Sequence, residues 1–324
     1  MIDTTPYDQI VVGLSGGKDS TALMLWIKYQ SGWDLAKCRF TFCDTGNEDS
    51  LTYAYINLLS EKIHPIETLD PGISFYTLAQ KRHRFPSAKI RFCTEELKIK
   101  PKHKMLTELV DRGITPLNVT GIRNGEAHNG NDRGDTLELE YEQFYWRKKY
   151  YTIANANPLV KWTLEDVWTI HKKYINLEDV ARIIENDSDL QDKDAILQRL
   201  YDTGIPCNPL YHMGASRVGC FPCIMSRKKE VWAMARYRPS RIDFIRSQES
   251  HPAFDNRGIS TFFPRNTAPM QFRSKKVVTK DGEEMFVSTI DDIVAWSQTA
   301  WGGKQIEADF IEQPTICRIG QHCE

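Results

Sequence analysis

The sequence predicts an α/β fold, with a doubly wound, mostly parallel sheet over residues 1–172 and a mainly helical, cysteine-bearing domain over 173–324. Three observations predict it. The apolar run Ile10-Val11-Val12-Gly13-Leu14 has strand length, and a Gly-rich turn and a helical pattern follow it, with Leu23, Trp26 and Ile27 at spacings of three and four. A second such run, Arg39 to Cys43, leads into Asp44-Thr45-Gly46, an acidic turn of the kind found on the ligand edge of open parallel sheets. Strand-like and helix-like segments then alternate, which argues for βαβ units.

The first turn, Ser15-Gly16-Gly17-Lys18-Asp19-Ser20, is an anion site by construction. Backbone N–H groups at a helix start lack intrahelical partners, and the helix dipole favours negative charge there. Gly16 and Gly17 let the backbone approach a phosphate, Lys18 adds a positive charge, and Ser15 and Ser20 add hydroxyl donors. The spacing is not that of a Walker A loop, whose glycines are further apart.

Glu48 to Lys62 predicts a helix with Leu51, Tyr55, Leu58 and Leu59 on one face, and Ile63 to Leu69 a third strand. Lys81 to Lys104 is densely basic, but its charges interleave with Phe85, Ile90, Phe92, Leu97 and Ile99, so the segment can pack while presenting cations. A helix through Met105–Arg112 ends at Gly113. Leu117 to Thr120 is a fourth strand, with Gly121-Ile122-Arg123 at its carboxyl end, where an Arg can grip phosphate with its planar fork. Glu126 to Lys149 is long, polar and turn-rich, and reads as a functional or mobile loop. Tyr141, Phe144, Tyr145 and Trp146 beside Arg147, Lys148 and Lys149 suit single-stranded nucleic acid or a core edge equally. Tyr151 to Ala154 is a last strand, and Thr163 is placed to cap the helix carrying Val167, Trp168 and Ile170.

Asn176 to Tyr201 reads as helical and acidic. A loop from Cys207-Asn208-Pro209-Leu210-Tyr211 then leads past Gly214, Arg217 and Gly219 to Cys220-Phe221-Pro222-Cys223, before a helix over Arg227–Arg236. A hairpin is expected between Lys276–Val278 and Met285–Val287 through Asp281-Gly282. Cys220 and Cys223 can converge on one centre. Cys207 is the nearest third sulfur, and Cys317 or Cys323 can supply a fourth. Such a set suits an iron–sulfur cluster or a structural zinc. Cys317 is favoured as the ligand, because Cys323 sits one residue from the chain end, where mobility suits a sulfur carrier better.

Composition narrows the setting. Apolar residues make up 41%, enough for a sizeable core, and the formal net charge of −1 gives no global basic field to attract nucleic acid. Met1 to Gln9 lacks a signal pattern and no apolar run reaches membrane-span length, so a cytoplasmic protein is expected.

Several motifs carry a family resemblance. Ser15–Ser20 resembles the PP-loop of ATP pyrophosphatases, which cleave ATP between its α and β phosphates. Arg91-Phe92-Cys93-Thr94-Glu95-Glu96-Leu97-Lys98-Ile99-Lys100-Pro101 resembles the Arg-aromatic-Cys-Thr…Leu-Lys-Ile-Pro motif of the phosphoadenylylsulfate reductase-like superfamily, especially the branch with the ATP pyrophosphatase of DNA phosphorothioation. Asp44-Thr45-Gly46, Gly121-x-Arg123-x-x-Glu126 and Pro158 to Trp168 are similar to further pieces of it. The block from Cys207 to Arg227 resembles reductase-like proteins of bacteria and phages, several of which carry a four-iron cluster.

The resemblance implies an adenine nucleotide alpha-hydrolase-like fold and an ATP pyrophosphatase that adenylates an acceptor oxygen for sulfur insertion. ATP would bind at Ser15, Gly16, Gly17, Lys18, Asp19, Ser20, Asp44, Thr45 and Gly121. Lys18, Arg91 and Arg123 would hold phosphates, and Asp19 or Asp44 would meet Mg2+. It implies a 4Fe-4S cluster ahead of zinc on Cys207, Cys220, Cys223 and Cys317, and sulfur delivery by the cluster or Cys323. The implied partners are DNA or another phosphate-bearing acceptor, and a cysteine desulfurase or other sulfur donor. Sulfonucleotide reduction and non-catalytic nucleotide sensing are the alternatives. The intact loop favours ATP cleavage, since reductases usually carry an altered one. The tail only loosely resembles the Glu-Cys-Gly-Leu-His end of reductases.

Overall fold

The computed structural model describes residues 2–124, 138–257, 261–278 and 282–300. Strand β1 (Gln9–Leu14) lies inside a six-stranded sheet. On one side stand β2 (Cys38–Cys43) and then β3 (Ile66–Leu69); on the other stand β4 (Pro116–Val119), β6 (Lys149–Ala156) and, at the edge, β5 (Leu139–Trp146). Every pairing is parallel except that of β5 with β6, and Val12 of β1 faces both Phe40 of β2 and Val119 of β4.

Helix α1 (Lys18–Tyr29) joins β1 to β2, and α2 (Ser50–Lys62) joins β2 to β3. The chain then crosses to the other side of β1 through α3 (Phe75–Lys81), the single turn α4 (Phe92–Thr94), a wide π turn over Glu95–Ile99, and α5 (Lys100–Asp111). The direction of winding therefore reverses between β1 and β4. In a doubly wound sheet this switch point leaves a crevice at the carboxyl ends of the two strands.

Alternation along β1 divides the two faces. Ile10, Val12 and Leu14 enter a large core with Leu23 and Ile27 of α1 and Leu51 and Leu59 of α2. Val11 points to the opposite face, where Met105, Leu106 and Leu109 of α5 meet it beside Ile153.

The large core continues without a break into the C-terminal helices: α6 (Leu164–Tyr174), α7 (Leu177–Asn186), α8 (Lys193–Thr203), α9 (Lys228–Tyr237) and α10 (Pro239–Glu249). Residues 172 and 173 both lie inside α6, whose start is closed by a reciprocal capping box between Thr163 and Asp166. The hairpin β7 (Lys275–Val278) with β8 (Glu284–Val287) and helix α11 (Ile290–Ser297) follow, and Asp281 of the turn lies outside the described residues.

One buried side chain ties the C-terminal helices to the sheet domain. Arg238, at the junction of α9 and α10, is 1% exposed and donates to Asp49 Oδ1 (2.8 Å) and to Asp187 Oδ1 and Oδ2 (2.6 and 2.7 Å). Asp49 is also the N-cap of α2, accepting the Leu51 N–H at 3.0 Å.

One expected loop is partly a strand. Residues 139–146 form β5, and Arg147 and Lys148, both with positive φ, make the two-residue turn into β6. Such turns usually carry Asn-Gly or Asp-Gly, so the local signal for a hairpin is missing from this sequence. Phe144 of that strand stacks on His103 of α5 at 3.7 Å, whereas Tyr141, Tyr145 and Tyr150 are exposed. Residues 125–137, with Glu126, lie outside the described residues.

Candidate functional site

A cavity of about 380 Å³ opens at the switch point. Gly13 to Ser15 and Gly17 to Ser20 form one wall, and Thr120 to Ile122, after β4, form another. Thr41 to Cys43, Glu48, Lys98, Lys102, Tyr211 and Arg217 also line it.

The turn after β1 is knitted by its own hydroxyls. Ser20 Oγ accepts the Ser15 N–H at 3.2 Å and donates to the Gly17 carbonyl at 3.1 Å, while Ser15 Oγ accepts the Gly17 N–H at 3.3 Å. Gly16 has φ of +70°, a conformation that side chains resist. Gly121 lets the β4 loop approach α1 closely, because a Cβ there would lie 2.8 Å from the Asp19 carbonyl oxygen. Gly121→Ala is therefore expected to push the two loops apart and to weaken nucleotide binding about tenfold or more by titration calorimetry, with the sheet intact by circular dichroism.

The C-terminal segment closes the turn from outside. The Lys18 N–H, at the start of α1, donates to the Tyr211 hydroxyl at 3.0 Å. Asn208 Nδ2 donates to the Gly16 carbonyl at 3.2 Å, and His171 Nε2 lies 2.9 Å from the Lys18 carbonyl oxygen. Burial holds the His171 imidazole below its usual pKa, so it stays neutral here. Asn208 and Tyr211 stand in a stretch singled out by sequence, but nothing local showed that they cover a turn 192 and 193 residues away.

Arg123, expected to clamp phosphate, is 6% exposed, and its Nε donates to Asp19 Oδ1. Lys18 Nζ stands 3.0 Å from the other carboxylate oxygen. Burial pushes the Asp19 carboxyl up, but Lys18 and Arg123 outweigh it and hold the group below the usual carboxylate range. Asp19 is thus held between two cations. Arg123→Ala is expected to destabilise the protein by about 2–3 kcal/mol in urea melts, and Asp19→Asn in the same chain to recover part of it. A phosphate clamp would instead lose affinity without losing stability.

Asp44 and Thr45 are also engaged elsewhere. Asp44 Oδ1 accepts the Gly46 N–H (2.8 Å) and the Tyr53 hydroxyl (2.6 Å), and Asp44 is not part of the cavity wall. Thr45 is fully buried and donates its hydroxyl to Glu48 Oε1 at 2.7 Å. Glu48, not singled out by sequence, is the carboxylate of that region that reaches the cavity wall. Arg91 is exposed at the start of α4 and is not part of the wall, whereas Lys98 is.

The cysteines separate into two places. Cys220 Sγ lies 3.4 Å from Thr45 Oγ1 and 3.8 Å from Glu48 Oε1; burial raises its thiol pKa and Lys98 opposes the rise. Cys223 follows on the same turn and accepts the Met225 N–H. Cys207, by contrast, is fully buried beside His212 Nε2 at 3.5 Å, and desolvation pushes its thiol far up. Among the described residues no group of three or more His, Cys, Asp or Glu side chains could hold a metal ion. The set Cys207–Cys220–Cys223 therefore does not fit a cluster or a zinc, and Cys317 and Cys323 lie outside the described residues.

A glycine-serine turn between β1 and α1, at the switch point of a doubly wound sheet and facing a cation-lined cavity, is the architecture of a PP-loop nucleotide-binding protein. The chain belongs to the phosphoadenosine phosphosulfate reductase domain family, whose model matches residues 9–181. It is 26% identical to an uncharacterized 37.8 kDa protein of Escherichia phage 186, over 95% of this chain and 93% of that one. An uncharacterized protein of Methanocaldococcus jannaschii is 26% identical over 66% of this chain and 36% of its own length. Among solved structures, phosphoadenylyl-sulfate reductase from Candida auris in a phosphate complex is similar with 15% identity and a TM-score of 0.41, over 66% of this chain and 82% of that one. FMN adenylyltransferase from Candida glabrata, with FAD and inorganic pyrophosphate, is similar with 16% identity and a TM-score of 0.33, over 52% and 50%.

Proposed function

We propose that the protein is an ATP pyrophosphatase that adenylates an acceptor oxygen so that sulfur can replace it. The observation that carries this reading is the intact Ser15–Ser20 turn, whose Gly17 to Ser20 line the cavity at the start of α1. The acceptor oxygen attacks the α-phosphorus of ATP, the bond from that phosphorus to the bridging oxygen breaks, and pyrophosphate departs with the electron pair. A sulfur nucleophile then displaces AMP from the acceptor centre. The Lys18 ammonium stabilises the charge on departing pyrophosphate. Mg2+ that arrives with ATP is part of the substrate.

A phosphate-bearing acceptor such as the DNA backbone, a sulfur donor such as a cysteine desulfurase, and carriage of sulfur by Cys323 complete the proposal. So does a cytoplasmic setting; among the described residues no helix is long and apolar enough to cross a membrane. The nucleotide part, 1–172, and the cysteine-bearing part, 173–324, act together, since the second supplies Tyr211 and Arg217 to the cavity. Family membership favours a second reading, sulfonucleotide reduction. Incubation with ATP and, separately, with phosphoadenylylsulfate and a thiol decides between them. Pyrophosphate from ATP without sulfite from the sulfonucleotide is expected; sulfite alone would select the reductase, and neither product a nucleotide sensor.

A further inference from the structure

The sheet ends in an unguarded edge. Strand β5 pairs with β6 without a bulge, from Leu139 opposite Ala156 to Trp146 opposite Lys149. It holds neither Pro nor Lys, the residues that commonly blunt an edge. Trp146 and Lys149 close the two-residue turn, and the Glu138 carbonyl accepts the Asn157 N–H, so the even-numbered residues of β5 direct their backbone groups at β6. The N–H and C=O groups of Tyr141, Gln143 and Tyr145 therefore point outward. Among the described residues, nothing bonds to them.

Alternation sorts the side chains of the hairpin. Phe144 and Glu142 lie toward α5: Phe144 stacks on His103, and Glu142 accepts from Asn155 Nδ2 and stands 3.7 Å from His103 Nε2. Tyr141, Gln143 and Tyr145 share the other face. Tyr150 of β6 joins them, its ring centre 5.0 Å from that of Tyr145. The three tyrosines are 59–69% exposed, and the hairpin places no acidic side chain on their face.

One register lets this edge pair with itself. Two copies related by a two-fold axis can lay their β5 strands antiparallel. With Gln143 opposite Gln143 of the second copy, Tyr141 faces Tyr145, Glu142 faces Phe144 and Glu140 faces Trp146. Each outward-facing pair then exchanges two N–H···O bonds. Sliding one step sets Glu142 against itself, and the next step sets Glu140 against Glu142; like charges directly opposite are destabilising. A step the other way runs into the positive-φ turn at Arg147.

We propose that the outer edge of β5 docks the same edge of a second copy of this chain, joining two six-stranded sheets into one. The strands run antiparallel across the join, so the two cavities open at opposite rims of the joined sheet and act independently. The inference goes beyond the nucleotide reading and does not depend on it.

Sedimentation equilibrium of the full chain is expected to show a monomer–dimer equilibrium with a dissociation constant on the order of 10 µM, since an edge pairing falls at the small end of specific interfaces. Gln143→Pro deletes an outward N–H that β6 does not use, and should sediment as a monomer with an unchanged circular dichroism spectrum. Gln143→Lys and Gln143→Glu each set like charges opposite one another, and each should dissociate roughly two- to fivefold more readily. Mixed in equal amounts, those two should pair at least as tightly as the wild type. Pyrophosphate release per chain should be the same in every variant. If Gln143→Pro fails to fold, the Lys and Glu variants decide alone. A wild type that stays monomeric about a hundredfold above that concentration overturns the proposal. So does a dimer that withstands Gln143→Pro, which uses another surface, and so does a Lys–Glu mixture that dimerises no better than either variant alone. Oligothymidylate binding by a monomeric wild type, lost in Tyr145→Ala, gives the tyrosine face to nucleic acid and overturns it as well.

Discussion

Lys18→Ala is expected to lower pyrophosphate release from ATP by about 2–4 kcal/mol of transition-state stabilisation, roughly thirty- to a thousandfold in rate. The turn should keep its shape. The contacts that hold it reach backbone atoms: the Tyr211 hydroxyl takes the Lys18 N–H, Asn208 donates to the Gly16 carbonyl, and the His171 ring meets the Lys18 carbonyl. Arg123 remains on Asp19 when Lys18 is removed, so that carboxylate keeps a cation. The loss should therefore appear in the rate while the urea midpoint moves little. Lys18→Arg should recover only part of the activity, because a planar guanidinium does not replace a compact ammonium. Unchanged release of pyrophosphate by Lys18→Ala would refute the PP-loop assignment.

Arg238→Ala should be the most destabilising single change among those considered, at about 3–5 kcal/mol, since it strands Asp49 and Asp187 in the interior without their cation. Adding Asp187→Asn should restore part of the loss, because the stranded charge is then removed. The same contact sets an acid limit. Burial raises the Asp187 pKa, but hydrogen bonds from Arg238 and Ser50 outweigh it and bring the pKa to about 2. A carboxyl depressed from its ordinary 3.8 contributes stability that is full above about pH 4 and is lost as pH falls through about 2. Urea melts between pH 5 and 2 should show that slope in the wild type and lose it in Asp187→Asn. An Arg238→Ala protein with wild-type stability would show that the tie between α2 and the C-terminal helices is energetically idle.

The sequence made legible what short stretches decide. β1, its turn and α1 follow from an apolar run, two glycines and a helical spacing within some twenty residues, and the doubly wound sheet follows from the alternation of strand-like and helix-like segments. Partner choice across the chain was not legible. An Arg after β4 reads equally well as a phosphate clamp or as the mate of Asp19, and only the fold brings the two together over 104 residues. Cys207 has the spacing of a ligand, yet its thiol is enclosed beside His212, because spacing does not say which way a loop turns. Lys102 was one charge in a basic run, and its place over Gly13 depends on how α5 lies on the sheet. The β5–β6 hairpin escaped notice because Arg147-Lys148 adopts a turn that sequence usually marks with Asn-Gly or Asp-Gly.

A ribosome delivers the turn early and its cover late. Tyr211 is translated 193 residues after Lys18, an interval of roughly ten to forty seconds at ordinary elongation rates. Throughout it the first amide of α1 lacks that partner. A chain released before Tyr211 has the loop without its cap, so truncated products should neither sequester nucleotide nor compete with the finished protein, and full nucleotide affinity should arise late in synthesis, once the segment through Gly219 has emerged and docked.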